Sequence, residues 1–156
     1  MIYPVDDSNL ESAAKVHSIS WKDSHQSFCS PAFLERHTPQ RQGEYIRSKI
    51  DSDARFFLLV EAEAIGVVSV TENLIEDLYV LPKYRRRGYG TQLLRFAMAA
   101  CTGRPTLWIL ESNTGARRLY EREGFCLTGK KKALSGKIAE IELAWNAEGA
   151  GLELGR

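Results

Sequence analysis

No cysteine pattern in this chain can staple it or hold a metal. Cys29, Cys101 and Cys126 are odd in number and far apart, which argues against a disulfide framework and a zinc site and fits a reducing cytosol. His25 and Cys29 stand one helical turn apart, as ligands can, but no third or fourth ligand follows nearby, so no metal is expected. Excess charge is missing as well: 21 Lys and Arg against 20 Asp and Glu leave a net charge of +1. That field is too weak to hold a polyanion, so neither nucleic acid nor an acidic membrane is expected as a partner. No stretch approaches the roughly 18 apolar residues of a membrane span. Met1 to Leu10 carries acidic residues and a proline where a secretory leader needs a basic start and an apolar run, and a cytoplasmic protein is expected. Also absent are the Gly-Lys-Ser or Gly-Lys-Thr of a triphosphate loop and the third glycine of a dinucleotide fingerprint.

What is present suffices for one core. The 156 residues, 44% hydrophobic, can bury roughly two-thirds of their unfolded surface in a single domain. We place that domain at 1–146 and a frayed tail at 147–156. Ile2 to Val5 reads as a strand. Ser8 with Glu11 reads as a capping box opening a helix that ends near Trp21, with Leu10, Ala13, Ala14, His17 and Trp21 on one face. Pro31 and Pro39, after Ser30 and Thr38, mark first helical positions in a broken second segment that Ile46 and Ile50 continue. Arg55 to Glu61 and Ile65 to Val70 form a hairpin although no Asn-Gly turn joins them, and a strand over Leu74 to Leu81 follows, stopped by Pro82. A helix after Gly90 carries Leu94, Ala97, Met98 and Cys101 on one face. Thr106 to Leu110 is a strand, Asn113 to Arg122 a helix closed by Gly124, and Phe125 to Leu127 and Ile138 to Trp145 are the last strands. The order predicts an α/β fold with a mixed sheet, antiparallel in front and strand-helix-strand at its centre.

Between the strand over Leu74 to Leu81 and its helix lie Arg85, Arg86 and Arg87, then Gly88, Tyr89, Gly90 and Thr91. Unpaired N–H groups and the dipole at a helix start favour an anion, glycines let the main chain approach it, and guanidinium groups add charge-assisted bonds. A loop of this make-up suits a pyrophosphate better than one carboxylate. The plainer reading, a solvated basic turn, stays open for the arginine run alone.

The stretch from Leu78 to Gly90, Leu-Tyr-Val-Leu-Pro-Lys-Tyr-Arg-Arg-Arg-Gly-Tyr-Gly, resembles the coenzyme-binding signature of the GCN5-related N-acetyltransferase (GNAT) superfamily, Arg/Gln-x-x-Gly-x-Gly/Ala after a strand ending in valine. Arg85, Gly88 and Gly90 match its fixed positions. Further on, Asn113 to Phe125 resembles the same superfamily's Asn-x-x-Ala-x-x-x-Tyr-x-x-x-Gly-Phe segment, with Asn113, Ala116 and Tyr120 on one helical stripe. The resemblance runs from Ile2 to Trp145, strongest over Leu78 to Phe125. It implies a sheet whose fourth and fifth strands splay, with acetyl-coenzyme A as co-substrate. Main-chain N–H groups from Arg86 to Thr91 would wrap its pyrophosphate, and Leu78, Tyr79 and Val80 would pair with its pantetheine arm. Asn113 would orient that arm, the main chain near Val80 would hold the oxyanion, and Tyr120 would protonate the departing thiolate.

Acyl transfer to an amine needs a neutral nucleophile, donors for the oxyanion and a proton for the sulfur; a tyrosine stays protonated at neutral pH and can supply the last. The base is where the match runs out. The glutamate that some relatives carry is replaced here by Leu74, and Glu76, with the side-chain parity of Leu74 and Val80, is the nearest substitute. Glu72 shares that parity, Glu111 ends the next strand, and relay of the proton by water is the rival route. Trp21, His25, Phe28 and Phe33 fall in the segment that roofs the acceptor pocket in the superfamily, and can line a pocket or simply fill core. The partner expected is a small-molecule or peptide amine, and a homodimer is a common state among relatives. A coenzyme A-sensing module without turnover and a nucleic-acid module using Arg85 to Arg87 are the alternatives from other classes.

Overall fold

The structure, a computed structural model, describes residues 1–146; the tail expected at 147–156 lies outside the described residues. The chain runs β1 (Ile2–Pro4), α1 (Leu10–His25), α2 (Pro31–Glu35), α3 (Pro39–Asp51), β2 (Arg55–Val60), β3 (Ala64–Thr71) and β4 (Leu74–Val80). A single 3-10 turn over Pro82–Tyr84 leads into α4 (Tyr89–Ala100), then β5 (Thr106–Leu110), α5 (Thr114–Arg122), β6 (Phe125–Ser135) and β7 (Ile138–Trp145). The strands form one seven-stranded sheet in the order β1-β2-β3-β4-β5-β7-β6. All its pairs are antiparallel except β4 with β5, the mixed α/β arrangement that the alternation of elements predicts. Among the described residues no helix is long and apolar enough to cross a membrane.

The sheet is covered on both faces. Phe56, Leu58 and Val67 pack under α1 and α3, whereas Leu59, Val68 and Val70 pack under α4. Two-sided burial is why β2 and β3 read as unbroken apolar runs rather than alternating ones. At Gly66 an added Cβ would meet Leu93 Cδ1 at 2.7 Å and the Tyr79 carbonyl oxygen at 3.1 Å, so only glycine lets α4 sit this close to β3.

Pro31 and Pro39 each occupy the first turn of a helix, with Ser30 and Thr38 accepting the N–H of Phe33 and Arg41. Three boundaries differ from expectation. The Ser8–Glu11 capping box does not form: α1 is capped at Asn9 without a side-chain bond, because Asp6 accepts both the hydroxyl and the backbone N–H of Ser8. Helix α1 continues past Trp21 to His25, where His25 Nδ1 lies 2.8 Å from the Trp21 carbonyl and its ring stacks on the indole. Strand β6 does not stop at Leu127 but reaches Ser135, pairing with β7 through shifts of register. Every β6 residue after Phe125 is exposed; this outer edge has no apolar alternation to announce it, and its pairing is dictated by β7.

Candidate active site

Strands β4 and β5 are paired only at Leu74↔Thr106. The contacts that join them, Thr106 N–H to the Asn73 carbonyl at 2.8 Å and Thr102 N–H to the Glu72 carbonyl at 3.0 Å, lie at one end, and no ladder connects Leu78 to Val80 with β5. The sheet is therefore split beside the last residues of β4, as the resemblance implies.

A β-bulge sets which groups of β4 face that gap. Val67 pairs with Tyr79 but Ser69 pairs with Glu76, so Asp77 and Leu78 together oppose Val68, and Asp77 adopts φ 54°. Beyond the bulge the strand is rotated. Leu81 N–H donates to the Ile65 carbonyl at 2.9 Å, and in an alternating ladder the N–H of Val80, one residue earlier, points the other way, into the gap. The bulge also corrects the parity assigned to Glu76. Glu76 shares the face of Ser69, Val67 and Tyr79, under α1 and α3, and Val80 lies on the opposite face, packed with α4. Strict alternation from Leu74 to Val80 fails because one extra residue flips everything after it.

The loop after β4 ends at a helix start. Arg86 at φ 64° and Gly88 at φ 86° alternate with right-handed or extended neighbours and turn successive N–H groups to one side. Among the described residues no acceptor meets the backbone N–H of any residue from Arg86 to Thr91; the first bonded one is Gln92, which donates to Gly88 at 3.0 Å. Tyr84 anchors the base of the loop: its hydroxyl donates to Glu63 at 2.6 Å, its ring meets that of Tyr89 edge-on, and the Arg87 guanidinium lies 5.5 Å from its centre. Arg85 is held by Asp23 at the end of α1, Nη1 to Oδ2 2.6 Å.

Helix α5 passes beside this turn, for a Cβ on Gly90 would lie 3.7 Å from Leu119 Cδ2. Asn113 caps α5 by accepting the Ala116 N–H at 3.1 Å, and Gly124, at φ 100°, ends it in the left-handed conformation that glycine adopts freely. Tyr120 is buried in the same apolar cluster against which Ala116, Leu78 and Val80 pack. Burial alone pushes the Tyr120 phenol up to about 12; its hydroxyl has no hydrogen-bond partner among the described residues and is not sealed from solvent.

On the other side of the sheet, Trp21 is sandwiched between His25 and His37 with ring centres 3.9 and 3.5 Å away, and Phe28 and Phe33 pack at the rim. Desolvation lowers the pKa of both histidines. Phe28 and Glu111 line a cleft of about 370 Å³ together with Ser27, Leu110 and the β6–β7 turn, so the structure brings these two expected residues together. Glu111 is paired with Lys131 at 3.0 Å. Glu76 is paired with Lys49 of α3 at 2.6 Å. Glu72 is not brought to the others; it occupies the β3–β4 turn, beside the C-terminal end of α4. Sequence reasoning passed over His37, which no motif marks, and Asp77, whose signal is an aspartate inside a strand, where that residue is disfavoured.

Comparison with known proteins agrees with this geometry. No curated protein matches the sequence. Solved structures do match in fold: a PaiA N-acetyltransferase of Thermoplasma acidophilum in complex with coenzyme A (20% identity, 91% of this chain and 96% of that one, TM-score 0.65) and an N-acetyltransferase of Staphylococcus aureus Mu50 (16%, 94% and 97%, TM-score 0.70). A protein from Bacillus anthracis str. Ames in complex with acetyl coenzyme A matches over less (22%, 60% and 62%, TM-score 0.51). At residues 15–125 the sequence fits the family described as Acetyltransferase (GNAT) family. With the split sheet, the loop of unpaired N–H groups and most of its length matched, the chain belongs to the GNAT acetyltransferase family.

Proposed function

We propose that this protein transfers an acetyl group from acetyl-coenzyme A to a primary amine of a small molecule or peptide, by direct attack within a ternary complex. The observation that carries the reading is the row of unpaired main-chain N–H groups from Arg86 to Thr91 at the mouth of the β4–β5 gap. Such a row, accessible at a helix start, is matched by the linked phosphates of a coenzyme. Arg85, Arg86 and Arg87 add positive charge around it, Gly88 and Gly90 allow close approach, and Tyr89 and Thr91 lie in the first helical turn. The open edge of Leu78, Tyr79 and Val80 accepts the pantetheine arm as an added strand, with Asn113 and Ala116 on its far side.

Within this arrangement the Val80 N–H is the donor for the oxyanion and Tyr120 the proton donor for sulfur. As the amine nitrogen bonds to the acyl carbon and the carbon–sulfur bond breaks, the phenol gives its proton to the thiolate, and water returns one taken from the amine. Glu76 stands under α1 and α3, paired to Lys49, as the candidate for assisting that return. Phe28 and Glu111 line a cleft that offers an acceptor an apolar wall and a carboxylate shared with Lys131, and Trp21 and His25 back that wall through the contact of His25 with Phe28.

Tyr120→Phe tests the proposal. Thiol release from acetyl-coenzyme A with a panel of primary amines falls about 100-fold in kcat, while calorimetry shows coenzyme A bound within about twofold of wild type, since a group acting only in the transition state leaves ground-state binding intact. Equal turnover by the variant removes Tyr120 from the chemistry. Binding by the wild type with no thiol release from any amine fits the sensing module instead.

A further inference from the structure

Asp77, the residue that makes the bulge in β4, is held by a set of donors, His17 and Ser69 buried and Tyr45 at the surface, that the reaction as proposed does not use. Its side chain is 8% exposed and that of His17, on α1, 2%. His17 Nε2 lies 2.9 Å from Asp77 Oδ1, the Ser69 hydroxyl donates to Oδ2 at 3.0 Å, and the Tyr45 hydroxyl of α3 lies 3.1 Å from both oxygens. Behind His17, Gln42 Nε2 meets Nδ1 at 2.8 Å. A carboxylate only accepts, so Nε2 carries the proton it shares with Asp77, and Gln42 fixes the ring from the other side. Burying an aspartate in a strand in a left-handed conformation costs free energy on three counts: charge, conformation and lost ladder bonds. A set of donors drawn from α1, α3 and β3 compensates for it, and its geometric consequence is to turn the N–H of Val80 away from β3 and into the gap.

We propose that His17, through Asp77, is a positioning residue for the reaction: it holds the bulge in the one conformation that aims the Val80 N–H at the oxyanion. This rests on the acetyl-transfer reading above. It makes a distinction that a merely structural role would not. Loosening the bulge misdirects one donor needed in the transition state and leaves untouched the loop from Arg86 to Thr91 that would hold the pyrophosphate, so the rate suffers more than coenzyme binding, which also draws on the edge of Leu78 to Val80. A misplaced donor of this kind costs on the order of tenfold to a hundredfold in rate.

The test compares His17→Leu, which removes both ring nitrogens, with His17→Gln, whose amide nitrogen reaches about as far as Nε2 and restores a donor to Asp77. For His17→Leu we expect kcat for thiol release, with the best amine of the panel, to fall at least about tenfold. Its coenzyme A affinity by calorimetry should fall by much less than the rate, and the amides of Tyr79 and Leu81, which face β3, should exchange faster with solvent while those of α4 do not. His17→Gln should recover most of the rate and the protection. Should His17→Leu not fold, Ser69→Ala, which deletes one hydroxyl donor to Asp77, is expected to give the same split at smaller amplitude. Turnover unchanged in these variants overturns the inference, as does a loss of coenzyme affinity in step with the loss of rate. The exchange measurement needs no acceptor. If the wild type itself releases no thiol, the acetyl-transfer reading fails, and unchanged protection of Tyr79 and Leu81 would show separately that His17 does not hold the bulge.

Discussion

Burial decides what the Tyr120 hydroxyl can do. Desolvation penalises the phenolate and pushes the group up to about 12, so the protonated form persists about two units further into alkali than the ordinary value near 10 allows. The sign for activity follows. Raising the pH from 7 to 10 deprotonates the attacking amine and leaves the acid in place, so kcat/KM should climb to a plateau, and a falling limb assigned to Tyr120 should appear only as pH nears about 12. A pH–rate profile checks this, and a fall centred below pH 10 would place the proton donor elsewhere. Tyr120 was legible in the sequence because its spacing from Asn113 and Ala116 makes a helical stripe. Asp77 was not, since nothing in a list of residues says that an aspartate in a strand will be met by a histidine from α1, a tyrosine from α3 and a serine from β3.

Elements differ in how much of their form they carry locally. Helices α2 and α3 announce themselves through Ser30-Pro31 and Thr38-Pro39, a cap and a first-turn proline whose effects need nothing beyond a few residues. Strand β6 does not, and neither does the bulge in β4, for each takes its register from a neighbour. Helix α3 also carries an avoidable cost. Gly43 lies in its interior, and an added Cβ would find only Ala14 Cβ at 3.5 Å, an ordinary contact. Gly43→Ala should therefore raise unfolding stability by about 0.5–1 kcal/mol, from the smaller loss of backbone entropy, as read by chemical denaturation with an unchanged m value. By contrast, Gly88→Ala places a side chain at φ 86° and should cost roughly 1–2 kcal/mol.

Taken whole, the molecule is a sheet fastened at one end and open at the other. Strands β1 to β4 and strands β5 to β7 meet in a ladder only where Leu74 pairs with Thr106, and a coenzyme lodged in the gap would join them at the opposite end. Binding to the folded state alone at a hundredfold excess over Kd adds about 2.7 kcal/mol, which for a chain of this size should raise Tm by roughly 5–10 °C. Acetyl-coenzyme A should produce that shift and ATP and NAD should not; a thermal melt in which the nucleotides match it would overturn the coenzyme assignment. Local patterns in the chain were enough to establish the succession of strands and helices, the phosphate-type loop and the Asn113-to-Tyr120 stripe, because these depend on residues within a turn or two of one another. Three features came only with packing in three dimensions: the parity of Glu76, the direction of the Val80 N–H and the partners of Asp77. Each depends on which strand lies alongside β4 and where one extra residue is accommodated, and pairing between distant segments is a property of the folded sheet.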